Sequence, residues 1–264
     1  MAKKRYGICS LTGEEGQLVK CHILPQAFTR PIIKGSPLEQ STLGRGVKRR
    51  WSSWYDPSLV TRAGEDILSL IDDKAITELR RAKLVWSGWS LVPPVFEVFS
   101  QVMPDHGLRE LADIDANAIS LFFWSVAWRA SVSSLREMEG FSLPIEIEEA
   151  AKAAILSGGV NMWRYPISLT QLSTRGEDHN HTPVLDEKHI PEVDGGKAKK
   201  VPIARVYVDG LVAHLHFEPM ESEQNQEKSI YLGNSNSLVV SAVKYETSFQ
   251  YENLLNLMYE SFTN

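Results

Sequence analysis

The sequence predicts an α+β fold, in which an N-terminal hairpin-helix module joins a helical body and a C-terminal antiparallel β-sheet. Two β-prone runs, residues 6–10 and 17–21, flank a polar turn that contains Gly13, which is the pattern of a β-hairpin. Apolar residues then recur at steps of three and four from Glu65 onward, as in an amphipathic helix. Further along, apolar and polar residues alternate on both sides of an Asp-Gly pair at 209–210, the strongest hairpin signal in the chain.

Length and composition favour a folded protein that does not enter a membrane. Of the 264 residues, 43% are hydrophobic, which is enough for a core, and we divide them into a module at 1–86 and a body at 87–264. Two cysteines, Cys9 and Cys21, are too few for a disulfide framework, and we expect both to be reduced thiols. No apolar run approaches the roughly 18 residues of a membrane span, and no signal-peptide core is present, so we expect a cytoplasmic protein.

The formal net charge of -5 conceals a strong asymmetry along the chain. Residues 1–62 contain 11 lysines and arginines against four acids, a balance of +7, whereas the remainder carries 17 against 29, a balance of -12. A face that binds a polyanion beside an acidic body has this distribution. Docking of one half of the chain on the other is equally compatible with it.

The second strand of the hairpin ends at His22, and Pro25 then takes the chain out of the sheet. An imidazole at this place has two interpretations. It is either a base whose pKa suits neutral pH, or a cap that holds the end of the hairpin through a backbone hydrogen bond.

A proline- and glycine-containing segment at 29–55 follows and is predicted to be an ordered loop or short strands. Within it, three basic residues precede aromatic ones, an order that suits phosphate contacts and base stacking. The candidate nucleic-acid-binding residues are Lys20, Lys48, Arg49, Arg50 and Trp51. The alternative is a solvated loop that its tryptophans anchor to the core.

The first predicted helix begins near Glu65 and ends near Leu84. Its apolar face is formed by residues three and four positions apart: Leu68, Ile71, Ala75, Leu79 and Ala82. Asp66 and Asp73 are two turns apart and share the opposite face. They are either metal ligands or part of a solvated helix face.

A second helix, at 115–137, is apolar nearly all round and is predicted to be the central buried helix. Arg129 and Arg136 lie seven residues apart on it, and a buried arginine needs a carboxylate or carbonyl partner, so we favour a structural clamp over a phosphate-binding role. A third helix is predicted at 146–156, ended by two glycines, and a C-terminal amphipathic helix at 251–262.

The second half adds strands and histidines. Residues 172–200 are polar and predict an exposed excursion, and the letters His-Asn-His at 179–181 within it are interpreted as a coincidence. His214 and His216 share one face of the hairpin at 202–217, where they either bind metal or belong to a half-exposed strand face. Further strands are predicted at 229–232 and 237–245.

Three segments in this order carry a resemblance to a known family: CSLTGEEGQLVKCHILPQAF, WYDPSLVTRAGEDILSLIDDKAI and LFFWSVAWRASVS. Together they resemble the HNH-like (ββα-metal) endonucleases, in an uncharacterised bacterial branch of which some members lie near phage-defence genes. The likeness runs roughly over residues 8–165.

The resemblance implies divalent-metal-dependent hydrolysis of DNA and a role in anti-phage defence. Phosphodiester cleavage needs a water nucleophile, a base for its proton and a cation for the leaving oxygen. By this likeness His22 is the catalytic base, and Asp66 and Asp73 hold one Mg²⁺ or Mn²⁺ through oxygen ligands. The basic loop then grips the DNA backbone.

The chain departs from the family pattern at two places. Family members carry two C-x-x-C knuckles that bind a structural zinc, but here Thr12 stands for the second cysteine, and Arg62 and Glu65 are assigned to the later pair. Because one cysteine cannot complete a tetrahedral site, we expect no structural zinc. In addition, Cys21 stands where a metal-binding Asp or His precedes the motif histidine.

Two functional hypotheses from different classes follow. The first is an HNH-like endonuclease with DNA as its partner. The second is a catalytically silent relative that kept the scaffold and binds nucleic acid, a protein partner or a second copy of itself. Metal-dependent nicking of plasmid DNA, with His22→Ala as control, separates the two.

Overall fold

The computed structural model describes residues 5–29, 38–42, 46–90, 100–159, 164–190, 199–219, 228–232 and 237–263 and shows a mixed α and β protein. The helices of this part of the chain are α1 (Arg62–Arg81), α2 (Ala116–Val132), α3 (Ile145–Ser157) and α4 (Phe249–Thr263). The strands of the first half are β1 (Tyr6–Ile8), β2 (Glu15–His22), β3 (Leu38–Thr42), β4 (Gly46–Arg50), β5 (Tyr55–Thr61), β6 (Ser100–Met103) and β7 (His106–Ala112). Those of the second half are β8 (Ile167–Leu172), β9 (His179–His181), β10 (Val184–Ile190), β11 (Lys199–Val208), β12 (Leu211–His216), β13 (Lys228–Ser229), β14 (Tyr231–Leu232) and β15 (Ser237–Val243).

The N-terminal hairpin forms as predicted, and a third strand extends it. β1 pairs with β2 in antiparallel register, and β2 pairs with β5, which places His22 opposite Tyr55. Gly13 has a φ of +76°, so it adopts the left-handed conformation that the turn between β1 and β2 requires. α1 begins at the residue that follows β5, so the chain passes directly from this small sheet into a helix.

The predicted helices are present, and the apolar face of the first is the one that the sequence indicated, except that Ala82 lies just past the end of α1 and is partly buried. The buried residues of α1 are Gly64, Leu68, Ile71, Ala75 and Leu79. α2 is buried almost all round, and its N-cap, Asp115, accepts a hydrogen bond from the backbone N–H of Ala118. α3 ends at Gly158, whose φ of +80° forms a left-handed C-cap.

A large sheet with the strand order β10-β11-β12-β8-β15-β7-β6 forms the second half of the fold. Most neighbours are antiparallel, as expected, but β15 runs parallel to β8, so the sheet is mixed rather than purely antiparallel. β6 and β7 belong to the same sheet although they come before α2, and the sequence analysis did not predict them. One face of the sheet packs on α2 in a continuous apolar core that also includes side chains of β2 and α1.

The β11–β12 hairpin confirms the prediction made from its turn residues. Asp209 and Gly210 have φ values of +47° and +82°, and positive φ at both central positions is the geometry that favours Asp-Gly in a two-residue turn. Among the described residues, no helix combines the length and apolar character needed to cross a bilayer.

The prediction of an exposed excursion at 172–200 was wrong for its described part. β9 lies inside this segment and all three of its residues are buried, while β10 pairs with β11 along seven residues. β9 runs parallel to β3, which pairs in turn with β4, and the three form a separate small sheet. The polar composition was misleading because the partners of β9 come from distant parts of the chain: His179 stacks on Tyr207 at 4.5 Å and contacts Gln250 at 2.9 Å.

Candidate functional site

His22 lies at the end of β2 with its ring half-buried between polar neighbours. The Gln26 side-chain nitrogen is 3.1 Å from His22 Nε2, and the Tyr55 ring centroid is 6.0 Å from that of His22. Because an amide nitrogen only donates, Nε2 accepts and the ring is neutral with its proton on Nδ1. Burial, followed by the positive charges of Arg129 and Lys20, lowers the pKa of His22, which favours the same neutral form.

The backbone of His22 is held from behind by Arg129. Arg129 Nη1 donates to the His22 carbonyl at 2.9 Å, and the guanidinium pairs with both carboxylate oxygens of Asp72. Its remaining N–H groups donate to the carbonyl and hydroxyl of Ser125, so all five donors are used although the side chain is buried. For Arg129 the prediction of a structural clamp is confirmed, and Asp72 is its carboxylate partner.

The helix carboxylates that approach β2 are not the two that the sequence analysis selected. Asp66 and Asp73 both lie on the exposed face of α1, and Asp66 Oδ1 is 4.0 Å from Arg62. Glu65 and Asp72, each one position earlier, flank the buried stripe instead. One residue is a rotation of about 100° on a helix, which is enough to exchange a solvated position for one beside the core.

Glu65 completes a group that we call the His22 cluster, defined as Cys21, His22, Glu65, Asp72 and Arg129. Glu65 Oε2 is buried and has no hydrogen-bond partner among the described residues. Burial raises the pKa of Glu65, although the Cys21 thiol and the Arg129 charge act in the opposite direction. Burial also raises the pKa of the Cys21 thiol, so the sulfur is protonated at neutral pH.

These side chains do not fit the Mg²⁺ or Mn²⁺ site that the family resemblance implies. Both cations prefer several oxygen ligands, yet Asp72 is committed to Arg129 and the neighbouring Cys21 offers a protonated thiol. Within the described ranges, no group of three or more His, Cys, Asp or Glu side chains is arranged to hold a metal ion.

Cys9 marks the place where the family pattern has its zinc knuckle. The Thr12 backbone N–H is 3.5 Å from Cys9 Sγ, and a Cβ atom built on Gly64 would lie 2.7 Å from the same sulfur. Burial raises the pKa of Cys9, but hydrogen bonds from Thr12 and Thr61 outweigh it and lower that pKa to about 7. The residues opposite Cys9 are therefore Thr61 and Gly64, each one position before the Arg62 and Glu65 assigned from the sequence.

The β3–β4 hairpin presents the basic residues. Lys48, Arg49 and Arg50 are exposed on β4, and Trp51, which follows it, is 73% exposed. Lys48 and Arg50 are two apart and line a cavity of about 140 Å³ together with Arg136, which we call the cationic cavity. Arg49 has the opposite orientation in the strand, and its Nε is 3.8 Å from a Glu39 carboxylate oxygen.

Lys20 and Tyr55 lie beside His22 in the small N-terminal sheet. The Lys20 ammonium lies 4.5 Å from the centroid of the Tyr55 ring, and Tyr55 pairs with His22. Trp54 is buried and its carbonyl accepts from the Ile23 N–H, so it anchors the segment that follows β4. Trp54 is therefore an anchor to the core, as one interpretation of the segment expected, whereas the exposed Trp51 has the accessibility that base stacking requires.

Glu65 and Asp72 were not selected from the sequence as site residues, and Arg136 was interpreted with Arg129 as a structural clamp although it lines the cationic cavity. At 100° per residue, Asp72 lies about 60° and Glu65 about 80° from the centre of the apolar stripe, whereas Asp66 and Asp73 lie on the far side of the helix, a signal that the spacing already contained. Arg136 was placed on the second helix, but α2 ends at Val132 and Arg136 belongs to the short 3₁₀ turn that follows. No sequence pattern indicated that this turn meets the β3–β4 hairpin.

Comparisons of the chain with protein-family models, with curated proteins and with solved structures find no match.

Proposed function

We propose that this chain binds nucleic acid, with DNA as the expected partner, through the cationic cavity and the aromatic residues beside it. The observation that carries the proposal is the convergence of Lys48, Arg50 and Arg136 around one cavity of about 140 Å³. One carboxylate, Glu137, lines the same cavity and leaves an excess of positive charge. Three cations around a space of this kind suit a phosphate of the backbone.

The neighbouring aromatic residue favours a nucleic acid over a simple anion. Trp51 directly follows the basic strand and exposes most of its indole, which is a surface on which a base can stack. Lys20 and Tyr55 add a second cation and a second aromatic ring beside His22. The chain as a whole is acidic, so this basic area is local rather than a consequence of net charge.

An HNH-like scaffold is part of this proposal. β2 pairs with β5 and α1 follows β5 directly, which are the parts of a ββα module, with His22 at the end of β2; the β3–β4 hairpin is inserted between the two paired strands. Arg129, which is paired with Asp72, donates a hydrogen bond to the His22 carbonyl, and this contact is structural. These features support the scaffold kinship together with loss of the metal-binding residues.

The test is fluorescence anisotropy with labelled single- and double-stranded DNA over a series of salt concentrations. Lys48→Gln and Arg50→Gln are each expected to weaken binding and to reduce the slope of log K against log salt by about 0.7 to 0.9. Arg49→Gln is the matched control, because it removes the same charge from the same strand but on the other side. Equal losses in all three variants would show that the cavity has no special role, and absence of DNA binding would refute the proposal.

A second candidate function, hydrolysis of DNA, is favoured by two features of the His22 cluster. His22 Nε2 is an acceptor on a neutral ring, which is the state that a general base requires. Glu65 Oε2, which has no hydrogen-bond partner among the described residues, is a further acceptor beside Cys21. Plasmid nicking, measured with and without Mg²⁺ or Mn²⁺ and abolished in His22→Ala but not in Asp73→Ala, would establish this activity. DNA binding without nicking would leave the binding function alone.

A further inference from the structure

The large sheet carries a second cavity, of about 220 Å³, on the face opposite to α2. Paired residues of neighbouring strands share a face, and the register aligns Arg205 of β11, His214 of β12 and Ser168 of β8. The first turn of α4 and the short turn that precedes it border the cavity. This site lies on other elements than the cationic cavity and the His22 cluster.

The apolar part of the cavity comes from three strands. Leu172, Val212 and Val243 line it, and each is at least nine-tenths buried. Phe249 of α4 lies at the cavity too, with its ring centroid 4.2 Å from the guanidinium carbon of Arg205. A mostly apolar lining with a few polar groups is the usual composition of a small-molecule site.

Two polar side chains of the cavity, Arg205 and His214, present hydrogen-bond donors. Arg205 Nε donates to His214 Nε2 at 3.3 Å, and Arg205 Nη2 pairs with Asp186 at 2.6 Å. Because His214 Nε2 accepts, the imidazole proton is on Nδ1. In the part of the chain that the structure describes, neither Arg205 Nη1 nor His214 Nδ1 has a hydrogen-bond partner, so both remain available to a ligand.

The charge at this site is positive on balance. Lys188 lies on the same sheet face, with its ammonium 2.9 Å from the Ser168 hydroxyl, and Asp186 offsets one of the two cations. Burial, followed by the positive charges of Lys188 and Arg205, lowers the pKa of His214 to about 3. The imidazole is thus neutral, and the nearby charges of Lys188 and Arg205 favour an anion.

We propose that this cavity binds a small organic carboxylate, whose charged group meets Arg205 and His214 and whose apolar body rests on Leu172, Val212 and Val243. The planar guanidinium matches the geometry of a carboxylate, and the His214 N–H adds a second donor. The hydroxyl of Thr170, which also lines the cavity, supplies a third. The apolar wall distinguishes such a ligand from inorganic anions.

Isothermal titration calorimetry with phenylacetate as the probe tests the proposal. Phenylacetamide has the same shape without the charge, and inorganic phosphate has charge without the apolar body. Phenylacetate is expected to bind, and each of the two comparison compounds to bind at least tenfold more weakly. Absence of phenylacetate binding, or equal binding of either comparison compound, would overturn the assignment.

Two variants locate the site. Val243→Phe places a ring in the cavity and leaves every charge in place, while Arg205→Lys keeps the charge but loses the planar fork. Each is expected to weaken phenylacetate binding at least tenfold, and Arg62→Gln, on the exposed side of α1, is expected to leave it unchanged. A thermal melt of each variant confirms that it is folded. Unchanged affinity in folded Val243→Phe would show that the ligand binds elsewhere.

Discussion

The Asp72 carboxylate and the Arg129 guanidinium form a bidentate pair between α1 and α2, with distances of 2.7 and 3.0 Å. Arg129 also holds the carbonyl of His22, so one buried side chain joins both helices to the end of β2. The arrangement orients the strand end that bears His22. Arg129 thus connects the buried helices α1 and α2 to the strand end that carries His22.

Removal of Asp72 is expected to destabilise the protein strongly. Asp72→Ala leaves the Arg129 charge buried without its partner, and this loss costs about 3–5 kcal/mol of unfolding free energy. Asp73→Ala, the adjacent exposed carboxylate, is expected to change stability by no more than about 0.5 kcal/mol. Urea denaturation followed by circular dichroism measures both. Similar values for the two variants would contradict the clamp.

The close approach of Cys9 and Gly64 gives a second prediction. A methyl group at Gly64 would meet Cys9 Sγ at 2.7 Å and the Val60 Cβ at 3.0 Å, so Gly64→Ala is expected to cost about 1–3 kcal/mol. In the Cys9→Ala background the sulfur is absent, and the same change is expected to cost less. A double-mutant cycle in urea measures this coupling. A cost that is equal in both backgrounds would assign the crowding to Val60 alone.

Buried histidines, among them His179 and His216, make stability depend on pH. Burial lowers the pKa of both His179 and His216 to about 4, below the ordinary value of 6.5. Between these values the unfolded chain binds protons that the folded chain does not, so stability is lost as pH falls from about 6.5 toward 4. Each histidine contributes at most about 1.4 kcal/mol per pH unit in this window.

Urea denaturation at pH 7 and pH 5 measures this loss. His216→Asn removes one of the titrating groups, so the difference between the two pH values is expected to shrink relative to the unaltered protein. His189→Asn, at an exposed position of β10, is the matched control. A pH dependence that is unaltered in His216→Asn would show that this histidine is not a source of the effect.

Local sequence patterns predicted where helices and strands lie in this chain better than they predicted which side chains face the core or which strands pair. The period of three and four residues located α1 and its buried stripe, and the Asp-Gly pair located the turn between β11 and β12. The choice between Asp66 and Glu65 depends on the angle around the helix axis between each residue and the buried stripe. Asp66 was chosen because it matched the family pattern, and this angle was not used. The resemblance therefore led to the exposed carboxylates.

Pairing between strands that are distant in the sequence could not be predicted from local sequence patterns. β9 is three residues long and polar, and it is buried because β3, Tyr207 and Gln250 surround it. Arg136 reaches the cationic cavity because α2 ends at Val132, before the position that the apolar pattern suggested. Both outcomes depend on tertiary contacts that override local preference.

Trp51 and Trp54 separate the two interpretations of the basic segment. Trp54 is 8% exposed, and Trp54→Ala is expected to cost about 3–5 kcal/mol of unfolding free energy because it leaves a cavity in the core. Trp51 is 73% exposed, so Trp51→Ala is expected to change stability by at most about 0.5 kcal/mol but to weaken binding of single-stranded DNA by about 1–3 kcal/mol. Urea denaturation and fluorescence anisotropy provide the two measurements. Unchanged DNA affinity in Trp51→Ala would mean that the exposed indole does not stack on a base, and the surface would then act through its cations alone.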